Sequence, residues 1–347
     1  MKTETFNYGD IRFADIQMLR YRVPAFRTLD LRRKLYIYHL SEAALCGRDI
    51  LWDQNCRHNL GVRHLLEDIL QHSAIKHEGA EWDAFMTYLR RVWFSNGIHH
   101  HYSCDKFRPG FSQQWLTEAY HSIPAPVTSE KEFQILSSVI TDESVMSKRV
   151  CQSGDDLLLA SACNYYGEDI TQQEAEQFYA AMKASAGNPE QPVMYGMNSR
   201  LERDSNGELT EHTYRTDAMY GTQLRRICSH LEQALEYAEN SKQQNAIRLL
   251  LDFYNSGSLE TFDRYTIEWV GETEGEIDFV NGFTEVYGDP LGLKASWEGY
   301  TNILDKEATH RTETLSRNAQ WFEDNSPVDA RFKKKECKGV TARVVQA

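Results

Sequence analysis

The chain has 347 residues and a formal net charge of −13, long enough for two ordinary domains or one large irregular one. That balance argues against a nucleic-acid partner, whose phosphates need concentrated Lys and Arg; a cleft attracting a cation, such as a peptide's free amine, would suit it. Hydrophobic residues at 41% and aromatics at 12% can supply a sizeable core, yet no window sustains the apolar run of a membrane helix.

The first twenty residues carry charges throughout and contain no apolar stretch of a signal peptide. The first half then reads as helix. Tyr36, Ile37, Leu40, Ala43 and Ala44 share one face of a predicted helix over about 30–47. Val62, Leu65, Leu66, Ile69 and Leu70 repeat the spacing, and so do Trp82, Phe85, Met86, Leu89, Val92 and Trp93, after which Asn96-Gly97 supplies a stop. Thr171 with Glu174 is a capping box opening a helix to about Lys183. "ASAGNPEQP" at 184–192 is the nearest thing to a linker. The spacing predicts one long helical region over about 217–254, ending before Gly257, with a shorter helix after it.

Strand signals come later. Asn206-Gly207 sits between extended stretches as in a hairpin. From Ile277 onward the sequence alternates and breaks at Gly, Asp-Pro and Gly, which predicts short strands with turns. The tail "KGVTARVVQA" puts Val340, Ala342 and Val344 on one side of a terminal strand. Helices first and strands inserted among helices afterwards indicate an α+β fold, mostly helical, with a small barrel or sheet core. The expected division is a mainly helical part over 1–190 and a strand-containing part with long helices over 191–347.

The chemistry-bearing residues are few. The seven cysteines, Cys46, Cys56, Cys104, Cys151, Cys163, Cys228 and Cys337, are scattered without a CxxC pair, which predicts reduced thiols in a cytoplasmic protein. His99, His100 and His101 are adjacent, so they cannot readily converge on one ion: neighbours point about 100° apart on a helix and to opposite faces on a strand. His77-Glu78 lacks the second histidine of a zinc helix. Nucleophile elbow, P-loop and dinucleotide fingerprint are all missing from the sequence.

Several blocks nevertheless carry a specific likeness. "YHLSEAALCGRDILWDQN", "RRVWFSNGIHHHY", "DKFRPGFS", "FVNGFTEVYGDPLGLKASWEG" and "ATHRTETLSRNAQWFEDNSPVD" closely resemble bacterial, Bacteroides-type dipeptidyl peptidase III. The resemblance implies a two-lobed zinc exopeptidase that releases dipeptides from the amino end of short peptides. In that family one lobe carries the zinc motifs and the other, built round a small β-barrel, walls the peptide cleft. The sequence matches about the first half of such a protein and contains neither zinc motif. The resemblance therefore implies the barrel lobe, a truncated and inactive fragment that holds no zinc itself, with short free-amino peptides and a missing zinc lobe as partners. The alternative is a non-catalytic peptide-binding or structural protein derived from that family.

By the same resemblance, "FTEVYGDP" places Glu285 on the substrate's α-ammonium and Tyr287 as the phenol donor to the carbonyl oxygen as charge develops, an oxyanion role shared with zinc. Asp289 and Pro290 complete that element. In "DKFRPGF" the family's element falls on Lys106, Phe107 and Pro109, with the Phe107 ring lining the site near the peptide's amino end. The three histidines are then part of a cleft wall and are not the family's zinc ligands.

Overall fold

A computed structural model describes residues 6–185, 193–337 and 343–346 of the protein. It opens with a hairpin the sequence reading did not contain, β1 (Gly9–Phe13) and β2 (Ile16–Leu19). The turn between them holds Ala14 at φ 48°; with neither Gly nor Asn at that position, the usual turn signal is missing. Helices then follow in close succession: α1 (Pro24–Thr28), α2 (Leu31–Cys46), α3 (Arg48–Asn55), α4 (Asn59–His72) and α5 (Ala80–Phe94). After an irregular stretch come α6 (Gln113–His121), α7 (Glu130–Thr141) and α8 (Gln172–Ser185). The expected stop after α5 is real. Gly97 adopts φ 144° and lies so close to Asn59 that a Cβ would overlap its amide, so only glycine fits.

The capping box opens α8 as expected: Glu174 N donates to Thr171 Oγ1 at 3.3 Å, and Thr171 N to Glu174 Oε2 at 3.0 Å. The candidate linker falls mostly on residues 186–192, outside the described residues. Next is the hairpin of β3 (Ser199–Arg203) and β4 (Leu209–Thr213), with Gly207 at φ 83° in its turn. The long helical region is two helices, α9 (Gly221–Tyr237) and α10 (Ser241–Ser256), followed by α11 (Leu259–Gly271). They separate because the Asn240 side chain accepts a hydrogen bond from Gln243 N and starts a new helix, a signal hidden by the continuous apolar spacing. Gly257, at φ 71°, ends α10 by donating to Phe253 O.

The last strands are longer than the sequence pattern predicts. β5 (Ile277–Glu285) and β6 (Ser296–Leu304) pair antiparallel over nine residues each. After α12 (Lys306–Arg317), α13 (Ala319–Asn325) and a short 3-10 turn, β7 (Val345–Gln346) joins the end of β6. Val340 and Ala342 of the expected terminal strand lie outside the described residues. The fold is α+β. None of its three sheets closes on itself among the described residues, so no barrel is seen. No helix among them is long and apolar enough to cross a membrane.

Three cores hold the chain together. In the first, one face of β5–β6 (Ile277, Phe279, Phe283, Trp297, Ile303) packs with α2, α9, α10 and α11. The second lies among α3 to α7 and includes Ile98, Phe107 and Phe111. The third joins α8 to Tyr165, Tyr166 and Leu201. The end of α3 is where they meet. Fully buried Gln54 donates to Ala295 O at 3.1 Å and accepts from Trp297 N at 2.7 Å, so its amide continues β6 as a neighbouring strand would. Gln54→Met keeps the volume but strands a buried N–H and C=O. It should lower stability by about 2 kcal/mol or more, read as an earlier urea midpoint at unchanged slope.

Candidate functional site

Three irregular segments converge on a cleft of ≈ 600 Å³. One wall is the turn after α5, which contributes His101 to Cys104; Tyr287 comes from the connection between β5 and β6. The segment Lys148–Ser153 completes the cleft.

The first wall is a piece of irregular pairing. Phe107 N donates to Ile98 O and His100 N to Asp105 O, each at 2.8 Å; Arg149 N then donates to Cys104 O at 2.8 Å, stitching the turn to the 148–150 segment. Cys104 sits at φ 62°. The three histidine rings have separate tasks. His99 is buried, with its Nε2 2.8 Å from Met146 O; since a carbonyl only accepts, the proton is on Nε2. Burial lowers its pKa to about 4. His100 Nδ1 accepts from Tyr102 N and Ser103 N, which fixes the turn. His101 stacks on His100 with ring centroids 4.5 Å apart and lines the cleft. Rings engaged this way do not converge on an ion, and no group of three or more His, Cys, Asp or Glu among the described residues could hold one. The residues described here do not fit the zinc that the resemblance implies for the full-length family.

Lys106 and Phe107 serve packing. Lys106 Nζ caps the C-terminal end of α7 through the carbonyls of Val139 at 2.9 Å, Asp142, and Val145 at 2.6 Å. Phe107 is 6% exposed and belongs to the second core, its ring against the Arg91 guanidinium and the edge of His100. It lies outside the residues that line the cleft.

The other wall is built on a buried carboxylate. Asp289 Oδ2 accepts from Leu293 N and Lys294 N, both at 2.8 Å, and from Tyr166 OH at 3.0 Å; Oδ1 accepts from Leu291 N at 3.2 Å. Burial raises its pKa, and those donors oppose the rise. The "GDPLGLK" connection is thereby wound round one side chain. Directly behind it, Lys294 is fully buried, donating to Ser199 Oγ at 3.0 Å and to Tyr179 OH, with Glu211 at 3.6 Å. Burial pushes its pKa down to about 8.

Tyr287 projects from this base, 68% exposed. Partial burial, then Glu298 and Glu285, raise its phenol pKa, while Arg149 opposes them. It therefore stays a proton donor at neutral pH. Glu285 closes β5, exposed, with no ion-pair partner among the described residues. The structure thus brings Tyr287 and His101 to one cleft, keeps Glu285 two residues from Tyr287, and leaves Phe107 in the second core, outside the cleft lining. Sequence reasoning missed Lys148, Arg149 and Cys151, which line the same cleft. They sit in a stretch without periodicity or motif, so nothing in the sequence marked them.

A family model described as peptidase family M49 matches residues 156–339. Dipeptidyl peptidase 3 of Dictyostelium discoideum is 23% identical over 334 residues, covering 90% of this chain and 47% of the relative. That of Rattus norvegicus is 25% identical over 347 residues, covering 89% and 47%. Among solved structures, DPP III from Caldithrix abyssi superposes with a TM-score of 0.61 at 18% identity, over 91% of this chain and 47% of its own. The Corallococcus dipeptidyl-peptidase III gives 0.60 at 17%, over 93% and 48%. These structural likenesses establish a shared fold, and the chain spans about half the length of the relatives it matches.

The state of His99 can be tested by pH. Its folded pKa lies below its unfolded value, so the unfolded chain binds more protons between them. Its contribution is complete above pH 6.5 and is lost as pH falls from 6.5 towards 4. His99→Gln keeps a donor for Met146 O but cannot titrate. Over that window the wild type should lose about 3 kcal/mol more stability than the variant, measured by denaturant midpoints at each pH. Equal losses would show that His99 does not titrate on unfolding.

Proposed function

The chain belongs to peptidase family M49, and on that footing we propose that it is the substrate-binding lobe of a dipeptidyl peptidase acting on short peptides with a free amino terminus. In this reading the 1–190 and 191–347 parts together form the barrel lobe of the two-lobed enzyme, β5, β6 and β7 contribute to the barrel, and the chain alone is inactive. Zinc is held by a second lobe. This chain's residues do not fit the metal, and no step on a metal is assigned to them.

The observation that carries the reading is Tyr287, held over the cleft by the Asp289-centred turn with Glu285 beside it. Glu285 ends β5 and Tyr287 lies two residues on, in the turn that Asp289 N closes on Val286 O at 3.1 Å, so in this reading the two face one peptide end from a single connection. A carboxylate that fixes the α-ammonium then sets the second carbonyl near the phenol. The ammonium–carboxylate contact is charge-assisted and discriminates a free from a blocked amine. The raised Tyr287 pKa keeps its O–H available for the carbonyl oxygen, where a donor is worth most as charge accumulates. Phe107 supports the opposite wall, the histidine turn, through its edge contact with the His100 ring.

The test supplies the zinc lobe of a family member, co-expressed or fused, and measures dipeptide release. Tyr287→Phe should lower kcat roughly ten- to a thousandfold with little change in KM. Glu285→Gln should instead erode the preference for a free over an acetylated amine, by about 1.5–3 kcal/mol. Full activity in Tyr287→Phe would remove the oxyanion role. Unchanged amine selectivity in Glu285→Gln would remove the other.

A further inference from the structure

Arg149 is unusual among the half-buried arginines. Arg33, Arg63 and Arg203 each sit on a carboxylate, at 2.7 Å from Glu239, 2.8 Å from Asp49 and 2.6 Å from Glu174. Arg149 lines the cleft beside Tyr287 and, among the described residues, bonds only to neutral acceptors: Asn55 Oδ1 at 3.3 Å, His101 O at 3.2 Å and Cys104 Sγ at 3.5 Å. Its Nε is buried without a partner. No carboxylate among the described residues lies at ion-pair distance from it, although Asp and Glu outnumber Lys and Arg by 51 to 38. The adjacent Lys148, also on the cleft, reaches Asp105 only at 3.4 Å. A guanidinium has five N–H donors in a fork that matches a carboxylate. Here it is held in place by neutral groups with its charge uncompensated. The neighbouring His101 registers the imbalance: burial, His100 and Arg149 all lower its pKa.

We infer that the Arg149 cleft is a carboxylate subsite that takes an Asp or Glu side chain of the bound peptide next to the bond that Tyr287 faces. The nature of the ligand rests on the peptide-binding reading above; the carboxylate site itself rests on the Arg149 geometry. Arg149 fixes the acidic side chain, Lys148 adds attraction at the rim, and His101 gains an anion that favours its protonated form.

The probes are acetyl-Ala-Glu-Ala-amide and acetyl-Ala-Gln-Ala-amide, blocked at both ends so that Glu285 has no amine to recognise. Titrated into the intact chain and followed by imidazole NMR signals, the glutamate probe should bind about tenfold more tightly or better than the glutamine probe. It should raise the His101 pKa, and high salt should shrink the preference. Arg149→Met should abolish the preference and Lys148→Met should reduce it. Because Arg149 also ties the turn to Asn55, Arg149→Met could fail to fold; Lys148→Met and the wild-type probe ratio then decide. Equal binding of the two probes, binding of neither, or a preference untouched in both variants overturns the inference. Free-amino peptides that still bind in a Glu285-dependent way would leave the peptide-binding reading standing. A glutamate preference with no role for Glu285 would do the reverse.

Discussion

Everything at the cleft depends on one helical turn, Asp53–Gln54–Asn55 at the end of α3. Gln54 and Asn55 are buried and Asp53 half-buried; such polar groups must find partners, and these three find them in different parts of the chain. Asp53 accepts from Tyr220 OH at 2.6 Å and Asn164 Nδ2 at 3.1 Å, Gln54 holds the start of β6, and Asn55 donates to Asn96 O and accepts from Arg149. The histidine turn and the β5–β6 connection are more than 180 residues apart in sequence, yet both are tied to the same few atoms. Loops fixed in this way can present polar side chains to solvent without the entropy cost of ordering them at each binding event.

Behind the Tyr287 wall lies a second constraint, the buried charges of Asp289 and Lys294. Alone, either would be too costly to bury. Asp289 is offset by three backbone N–H groups and a tyrosine, and Lys294 by Glu211 and two hydroxyls. Removing either set of partners leaves a buried charge unsatisfied, so the connection has one low-energy arrangement. Its glycines would otherwise leave it loose. A tyrosine that is largely exposed yet rooted in a rigid base is a suitable donor, because its position is set before the substrate arrives.

How much of this could be read from the sequence follows from which interactions leave a repeating trace. The apolar stripes of α2, α4 and α5 repeat at helical spacing because each helix buries one face, and those helices stand where the pattern puts them. The capping box at Thr171 and the Asn206-Gly207 hairpin were equally legible, since a local hydrogen bond or a positive φ demands particular residue types. The split between α9 and α10 was not, because Asn240 caps within unbroken apolar spacing. For β1–β2, Ala14 occupies a turn that usually advertises itself by glycine. At the site, adjacency alone argued that the three histidines do not share an ion, and their rings do engage separate partners. Roles for Glu285 and Tyr287 came from family likeness. Arg149 came from neither, because an uncompensated cation shows only when its neighbours in space are known.

The charges of the chain act over two ranges. Net negative charge creates a field felt over the Debye length of about 8–10 Å, and that field draws in cations and repels anions. In the proposed reading an exposed carboxylate such as Glu285 works with this field, attracting a peptide's ammonium from a distance and then fixing it. Arg149 works against it. Its pull on a carboxylate grows only at contact, where the half-buried setting lowers the effective dielectric and strengthens the pair. On that proposal a peptide would approach amino end first, and a carboxylate would be engaged only after the chain has entered the cleft. In the proposed reading this ordering gives orientation from the field and side-chain discrimination from the contact, with Tyr287 lying between the two.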